Sequence, residues 1–505
     1  MNRPLALIIA LALAVILVPR ALQAQVILGP EGPLNPQKEK QKQREGPQVF
    51  HLTVDPAPEP SPALKYSLLP YYLQQKPGNG VPYYYRALLM YRQGNATARD
   101  SIAGWSDTPA AQLPAEQVRR ALDQFTGVIE SLRTAAYREQ CDWQWRLRDL
   151  DGLQQIAFLL PELNDARSVG RLLALKARLE IAEGHYDQAI ETLTIGYKLA
   201  RDVAEPSTLV NCLVGIAIGD VMNRVLIELI DAPGSPNLYW ALAELPRPLI
   251  DTRQALRQEM MLPLQMFPVL RDPETAQHSP DQWRDLMIQC VRQTMDYTDL
   301  GLQAGGLGKD RFSEAAALGL IAVGYPRAKS ELEAAGYSRQ QIEKMPVGQV
   351  VAIYQARAYA HAYAEIFKWT FLPFDEAWQR QQQAERKLQD EGYFDRFPNL
   401  SREIIPVVSV LLPDLGAARR AEVRLSARLA MLKALEAIRM HAAAHEGQLP
   451  NSLDQIVTVP VPNNPLTGEP FVYRREGEMA FLEIPEAVGM DAAQAWRLEI
   501  VVSKR

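Results

Sequence analysis

From Ala63 to about Arg420 the chain reads as one helical segment after another, with almost no strand-like alternation. That pattern restricts the fold to helices packed on helices. An apolar stripe at helical spacing is stable only when another element covers it. Start signals recur. Thr108-Pro109 places a cap before a proline at the first helical position. Ser279-Pro280-Asp281-Gln282 and Ser338-Arg339-Gln340-Gln341 both set a glutamine three residues after a serine, the spacing of a capping box. Stops are clusters such as Asp231-Ala232-Pro233-Gly234-Ser235-Pro236. Short breaks between long helices imply antiparallel neighbours.

One pair is legible in detail. Leu172, Leu175, Leu179 and Ala182 share a face, Gly184-His185 breaks the helix, and Tyr186, Ala189, Leu193 and Tyr197 resume the spacing. The string from Ala182 to Ala189 resembles the inter-helix turn of a tetratricopeptide repeat. A single good copy is present, whereas repeat architectures stack several units to bury a continuous core.

The end of the chain changes character. Asp414 to about His445 reads as one long helix with Leu425, Leu429, Leu432, Leu435 and Ile438 as its stripe, arginines on its other faces, and Gly447 at its C-terminal cap. A proline-rich stretch follows. Then 471–475, 479–484 and 496–502 read as three short strands. The expected fold class is mainly α: stacked helical hairpins, tetratricopeptide-like or α-solenoid-like, with a small C-terminal α+β module.

The first 24 residues match an export signal. Arg3 supplies the positive start, Leu5–Val18 the apolar run, and Ala24 the last residue before cleavage. The apolar run is shorter than the roughly 20 residues a spanning helix needs. Residues 25–62 are rich in proline and charge and read as an unfolded linker. The expected divisions are therefore 1–24 signal, 25–62 linker, 63–300 helical hairpins, 301–413 second helical subdomain and 414–505 long helix plus β module. The expected location is periplasmic or secreted, with membrane contact only through a retained signal.

Composition excludes little. Fifty-four basic residues against fifty-nine acidic ones leave a net charge of −5, which argues against a nucleic-acid partner. Cys141, Cys212 and Cys290 are odd in number and far apart, so no disulfide framework is read from them. Cys212 lies in an apolar stretch and reads as a buried thiol. The run Gly301–Gly308 departs from a phosphate loop: Gln303 replaces the first glycine and Asp310 the hydroxyl residue. It reads as a linker.

Several strings look familiar together: Leu64-Lys65-Tyr66-Ser67-Leu68-Leu69-Pro70, Asn237-Leu238-Tyr239-Trp240, Glu436-Ala437-Ile438-Arg439, and Pro465-Leu466-Thr467-Gly468. They resemble an uncharacterised family of exported α-helical proteins of planctomycete bacteria. The resemblance implies an address and an architecture, without an activity or site residues. The last module is also similar to the C-terminal half of type II secretion pseudopilins, although its long helix lies some four hundred residues into the chain.

Candidate chemistry is sparse. His441 and His445 are four apart on a helix, the spacing of two metal ligands, but Ala442 occupies the general-base position of a zinc-protease motif. The simpler expectation is a solvated helix end where imidazolium suits the macrodipole. His361 and Glu365 form an ordinary surface pair. No catalytic residue, cofactor site or firm metal ligand is expected. Two aromatic groups stand out. Tyr354, Tyr359, Tyr363, Phe367 and Trp369 suit either core packing or a partner groove. Exposure of Tyr71, Tyr72, Tyr83, Tyr84 and Tyr85 would mark a peptide or glycan surface. The expected function is a non-enzymatic exported scaffold binding a protein or envelope component. The alternatives are an envelope hydrolase with a site assembled from distant residues, or an accessory of a secretion or assembly apparatus.

Overall fold

The structure is a computed structural model that describes residues 46–145, 152–206, 208–302, 314–391, 413–485 and 495–503. The expected signal, residues 25–45 of the expected linker, and all but Gly301 and Leu302 of the glycine-rich run lie outside the described residues.

The protein is mainly α with a small sheet formed near the C-terminus. In chain order the first helices are α1 (Val81–Gln93), α2 (Ala96–Trp105), α3 (Ala115–Asp123) and α4 (Thr126–Ala136). Three long ones follow, α5 (Gly152–Ala182), α6 (Tyr186–Ala204) and α7 (Leu209–Asp231), which pack on one another. The α5–α6 turn uses Gly184 at φ +75°, a conformation that favours glycine. Ala189 is fully buried where the two helices approach, whereas Tyr186 is only half-buried and reaches across to donate its hydroxyl to Pro233 O at 2.7 Å. A Cβ at Gly215 on α7 would run into the carbonyl oxygen of Ala200 on α6, so the missing side chain sets how closely those helices meet.

Beyond the short α8 (Tyr239–Glu244), the chain builds α9 (Arg253–Met266), α10 (Pro280–Leu302), α11 (Glu314–Ala334), α12 (Arg339–Lys344), α13 (Val347–Phe367) and α14 (Phe374–Asp390). Both capping boxes form: Gln341 N donates to Ser338 Oγ at 3.2 Å, and Gln282 N to Ser279 Oγ at 3.3 Å. Thr108-Pro109 opens only a single 3-10 turn, Ala110–Gln112, and the α-helix begins after a second proline, Pro114.

Two cores result. Leu172, Leu193, Tyr197, Met222 and Leu226 belong to the first. Leu256, Trp283, Met287, Val351, Tyr359 and Leu388 belong to the second. The division falls near Arg253, about fifty residues before the expected limit at 300/301. Tyr354, Tyr359, Tyr363 and Phe367 are buried in the second core and Trp369 is half-buried, so this aromatic group packs the interior.

The long helix, α15 (Pro413–Ala444), is central rather than an appendage. Every residue from Met431 to Ala442 is buried, and Leu432, Leu435 and Ile438 join the first core. Fully burying each such side chain contributes about 1.5–3 kcal/mol.

The expected three-strand module is a four-stranded sheet, in the order β1-β6-β5-β4. Strands β4 (Val472–Glu476), β5 (Met479–Glu483) and β6 (Trp496–Val502) are antiparallel neighbours. The fourth strand is β1 (Gln48–Val54), paired parallel to β6 with Gln48 opposite Trp496 and Val54 opposite Val502. It comes from within the expected linker, so residues 46–62 are part of the fold. Leu52 and Val54 alternate with exposed His51 and Thr53, the period a half-buried strand requires. Prolines on both sides hide it from a reading by composition. The expected unit 414–505 is thus not separable: its sheet takes a strand from the chain's other end and its core is the helical body's core.

The outer face of this sheet carries charge in alternation. His51–Glu499, Glu499–Arg497, Arg497–Glu483 and Glu483–Arg474 lie 2.8, 3.3, 3.5 and 3.1 Å apart. The guanidiniums of Arg474 and Arg497 cover the ring of Phe481 from 5.0 and 4.8 Å. A short parallel ribbon of β2 (Lys76–Asn79) and β3 (Arg138–Gln140) ties the entry loop to the end of α4.

Candidate functional site

Three groups of side chains draw attention by chemistry. The most buried is a polar junction on α15. Glu436 and Arg439 are both fully buried, with Arg439 Nη1 2.9 Å from Glu436 Oε2. Arg439 also donates from Nε to Asp55 O at 3.0 Å, and from Nη2 to Ser235 O and Oγ, each at 2.9 Å. The other carboxylate oxygen of Glu436 accepts from Leu238 N at 3.0 Å. Asn237 Nδ2 donates to Glu436 O at 2.9 Å and Ala57 O at 3.3 Å. Asp55 accepts from Gly234 N at 2.6 Å and from the Ser503 hydroxyl. Burial pushes the Glu436 carboxyl up, and the Arg439 charge works against that push. Each group is held by a structural bond, so this is a joint between the N-terminal strand, the loop after α7, and α15.

The two histidines lie one turn further along. His441 is buried, so the expectation of a solvated helix end is corrected for this residue. The rings stack with centroids 3.9 Å apart. His445 Nδ1 is 2.8 Å from the carbonyl of His441 and is committed to it. His441 Nδ1 is buried with no hydrogen-bond partner. Burial, then the neighbouring His445, hold the His441 pKa below its ordinary value. Among the described residues no cluster of three or more metal-ligating side chains is found. His361 is exposed and Glu365 pairs with Lys368 at 2.8 Å.

The third group surrounds Asp202 on α6. Tyr84 OH donates to its carboxylate at 2.7 Å, Lys198 pairs with it, and Trp143 Nε1 donates to its carbonyl at 2.7 Å. Burial pushes the Asp202 carboxyl up, while Lys198 and Tyr84 pull it down. Tyr84, Tyr85, Trp143 and Trp145 pack at 5.2–6.0 Å. Tyr84, Trp143 and Trp145, with Leu88, Leu199, Val203 and Asn211, line an apolar cleft with room for about one water molecule. Cys141 lies beside it, and burial raises its thiol far above the reactive range. Cys212 is buried as expected, its thiol pushed up to about 12. Asp202 carried no signal in the sequence beyond an acid among helical apolar residues.

The expected tyrosine group is split by the fold. Tyr84 is core and Tyr83 is half-buried under Arg138, which donates to its hydroxyl at 2.9 Å. Tyr71 and Tyr72 are 49% and 77% exposed, and Leu73 beside them is 83% exposed. They sit on a 3-10 turn, Tyr72–Gln74, closed by Gln74 N to Tyr71 O at 2.9 Å and Gln75 Nε2 to Pro70 O at 2.9 Å. Behind it Leu68 is fully buried, and Thr194 Oγ1 on α6 donates to Ser67 O at 2.8 Å. On the far side Lys76 N donates to Tyr137 O at 2.8 Å. The turn is anchored at both ends and presents its apolar side chains to solvent.

No family model, no curated protein and no solved structure matches this chain. Among the described residues no helix is long and apolar enough to cross a membrane.

Proposed function

We propose that this chain is an exported, non-enzymatic helical scaffold that binds a component of the cell envelope. The observation that carries the reading is the anchored turn Tyr71-Tyr72-Leu73. Burying large apolar side chains is the main favourable term of folding, and this turn leaves three of them in water on a hydrogen-bonded platform. Exposed aromatics held rigidly lose little entropy on binding. The export assignment rests on the sequence of residues 1–24.

A photo-crosslinking residue at position 72 tests the reading in cells. Adducts with an envelope component should form there and not at exposed Glu376 on α14. Absence of adducts at both positions, with the protein folded and exported, would count against the scaffold role. Recovery in the soluble cytoplasmic fraction would overturn the location.

A further inference from the structure

We infer that the Tyr71–Leu73 turn docks on an anionic lipid surface. The inference rests on the envelope-binding reading and names its partner class. Residues 60–80 contain two lysines, Lys65 and Lys76, and no carboxylate, in a chain whose net charge is −5. Both lysines are exposed, and they bracket the turn on its two sides. Leu64, beside Lys65, is 75% exposed and adds a further apolar side chain to the same loop.

The combination is chemically specific. Tyrosine sits at the boundary between hydrocarbon and water, its ring apolar and its hydroxyl wet. Leucine enters the acyl boundary beside it. Lysine ammonium groups level with the headgroups are drawn to negative lipid, each about fivefold in affinity. Of the acids that flank the loop, two have partners of their own: exposed Asp187 accepts from Tyr66 OH at 3.1 Å and Glu59 accepts from Trp240 Nε1; Glu139 lies on β3, the strand paired with β2. The turn is already ordered by its own hydrogen bonds, so insertion does not have to fix its backbone. This contact is separate from the signal, the only membrane contact expected from sequence.

The test is co-sedimentation of the full chain with phosphatidylglycerol/phosphatidylcholine vesicles and with phosphatidylcholine alone. Wild-type protein should bind the anionic vesicles more tightly, and added salt should weaken binding. The double variant Tyr72→Ser/Leu73→Ser should bind about tenfold more weakly. Lys65→Gln/Lys76→Gln should bind the anionic vesicles at least about tenfold more weakly and leave binding to neutral vesicles unchanged. Leu73→Trp should bind at least as tightly as wild type, with a vesicle-dependent blue shift in its emission. All these positions are exposed, and matching thermal melts confirm that the variants fold. Equal binding by wild type and both double variants overturns the inference, because the N-terminal apolar run then accounts for all of it. A turn that ignores every vesicle yet crosslinks to a protein from position 72 overturns the lipid assignment and leaves the scaffold reading standing.

Discussion

Arg439 and Glu436, one helical turn apart on α15, form an ion pair in which neither side chain touches solvent, with 2.9 Å between Nη1 and Oε2. Around it meet the carbonyls of Asp55 and Ser235 and the amide of Leu238. The joint connects segments nearly four hundred residues apart.

Removing one partner should therefore be severe. Arg439→Met is expected to destabilise the first core by about 3–5 kcal/mol, since it leaves a buried carboxylate and unpaired carbonyls. Adding Glu436→Gln should recover part of the loss. Urea denaturation of the two singles and the double gives the coupling energy, and strictly additive losses would contradict a coupled joint.

The order of β1 makes a truncation informative. A chain starting at Gly46 keeps the whole of β1 and serves as the reference. One starting at Ala63 loses Leu52 and Val54 from the core and the Asp55 and Ala57 partners of the joint. Its melting temperature should fall by several degrees or more, and the region around Trp496 should become protease-sensitive. Equal melting of the two truncations would refute the role given to β1.

Gly215→Ala tests the close approach of α6 and α7. Alanine is normally favoured in a helix, yet here its methyl meets the Ala200 carbonyl. A loss of about 1–3 kcal/mol is expected from overpacking. Gly104→Ala, with open space at its Cβ, should be neutral or slightly stabilising. Calorimetry on the pair separates packing from helix propensity.

His441 predicts a pH dependence. Its pKa in the folded protein is held below the ordinary value by burial, so the unfolded chain binds the proton first as pH falls. Stability should be unaffected well above pH 6.5, decline as pH drops through that ordinary value, and level off below the folded pKa. Comparing denaturation of wild type and His441→Gln across this range isolates the term. An identical slope in both proteins would exclude His441 as its source.

Zinc uptake tests the histidine pair independently. Among the described residues no third metal-ligating side chain joins His441 and His445, so equilibrium dialysis at neutral pH should find no tight zinc binding that depends on them. Saturable zinc lost in His441→Ala would reverse this conclusion.

Local signals were legible because their causes are local. The Ser279 and Ser338 capping boxes, the Gly184 turn and the burial of Cys212 each follow from a few neighbouring residues. The strand β1 was not, since proline-rich surroundings outweighed a seven-residue alternation. The Glu436–Arg439 joint had a faint signal, an acid and a base three apart beside Leu435 and Ile438, but the same spacing is common on solvated helix faces.

By itself the sequence determined that this protein is a set of capped amphipathic helices ending in short strands, and it singled out Tyr71 and Tyr72 as residues whose exposure would matter. Only the tertiary structure decided that the chain's two ends share a sheet, that α15 runs through the core, and which tyrosines face solvent. Helix formation depends on residues three or four apart, which a sequence displays directly. Strand partners and burial depend on residues hundreds of positions apart, where only the packed chain shows which surfaces meet.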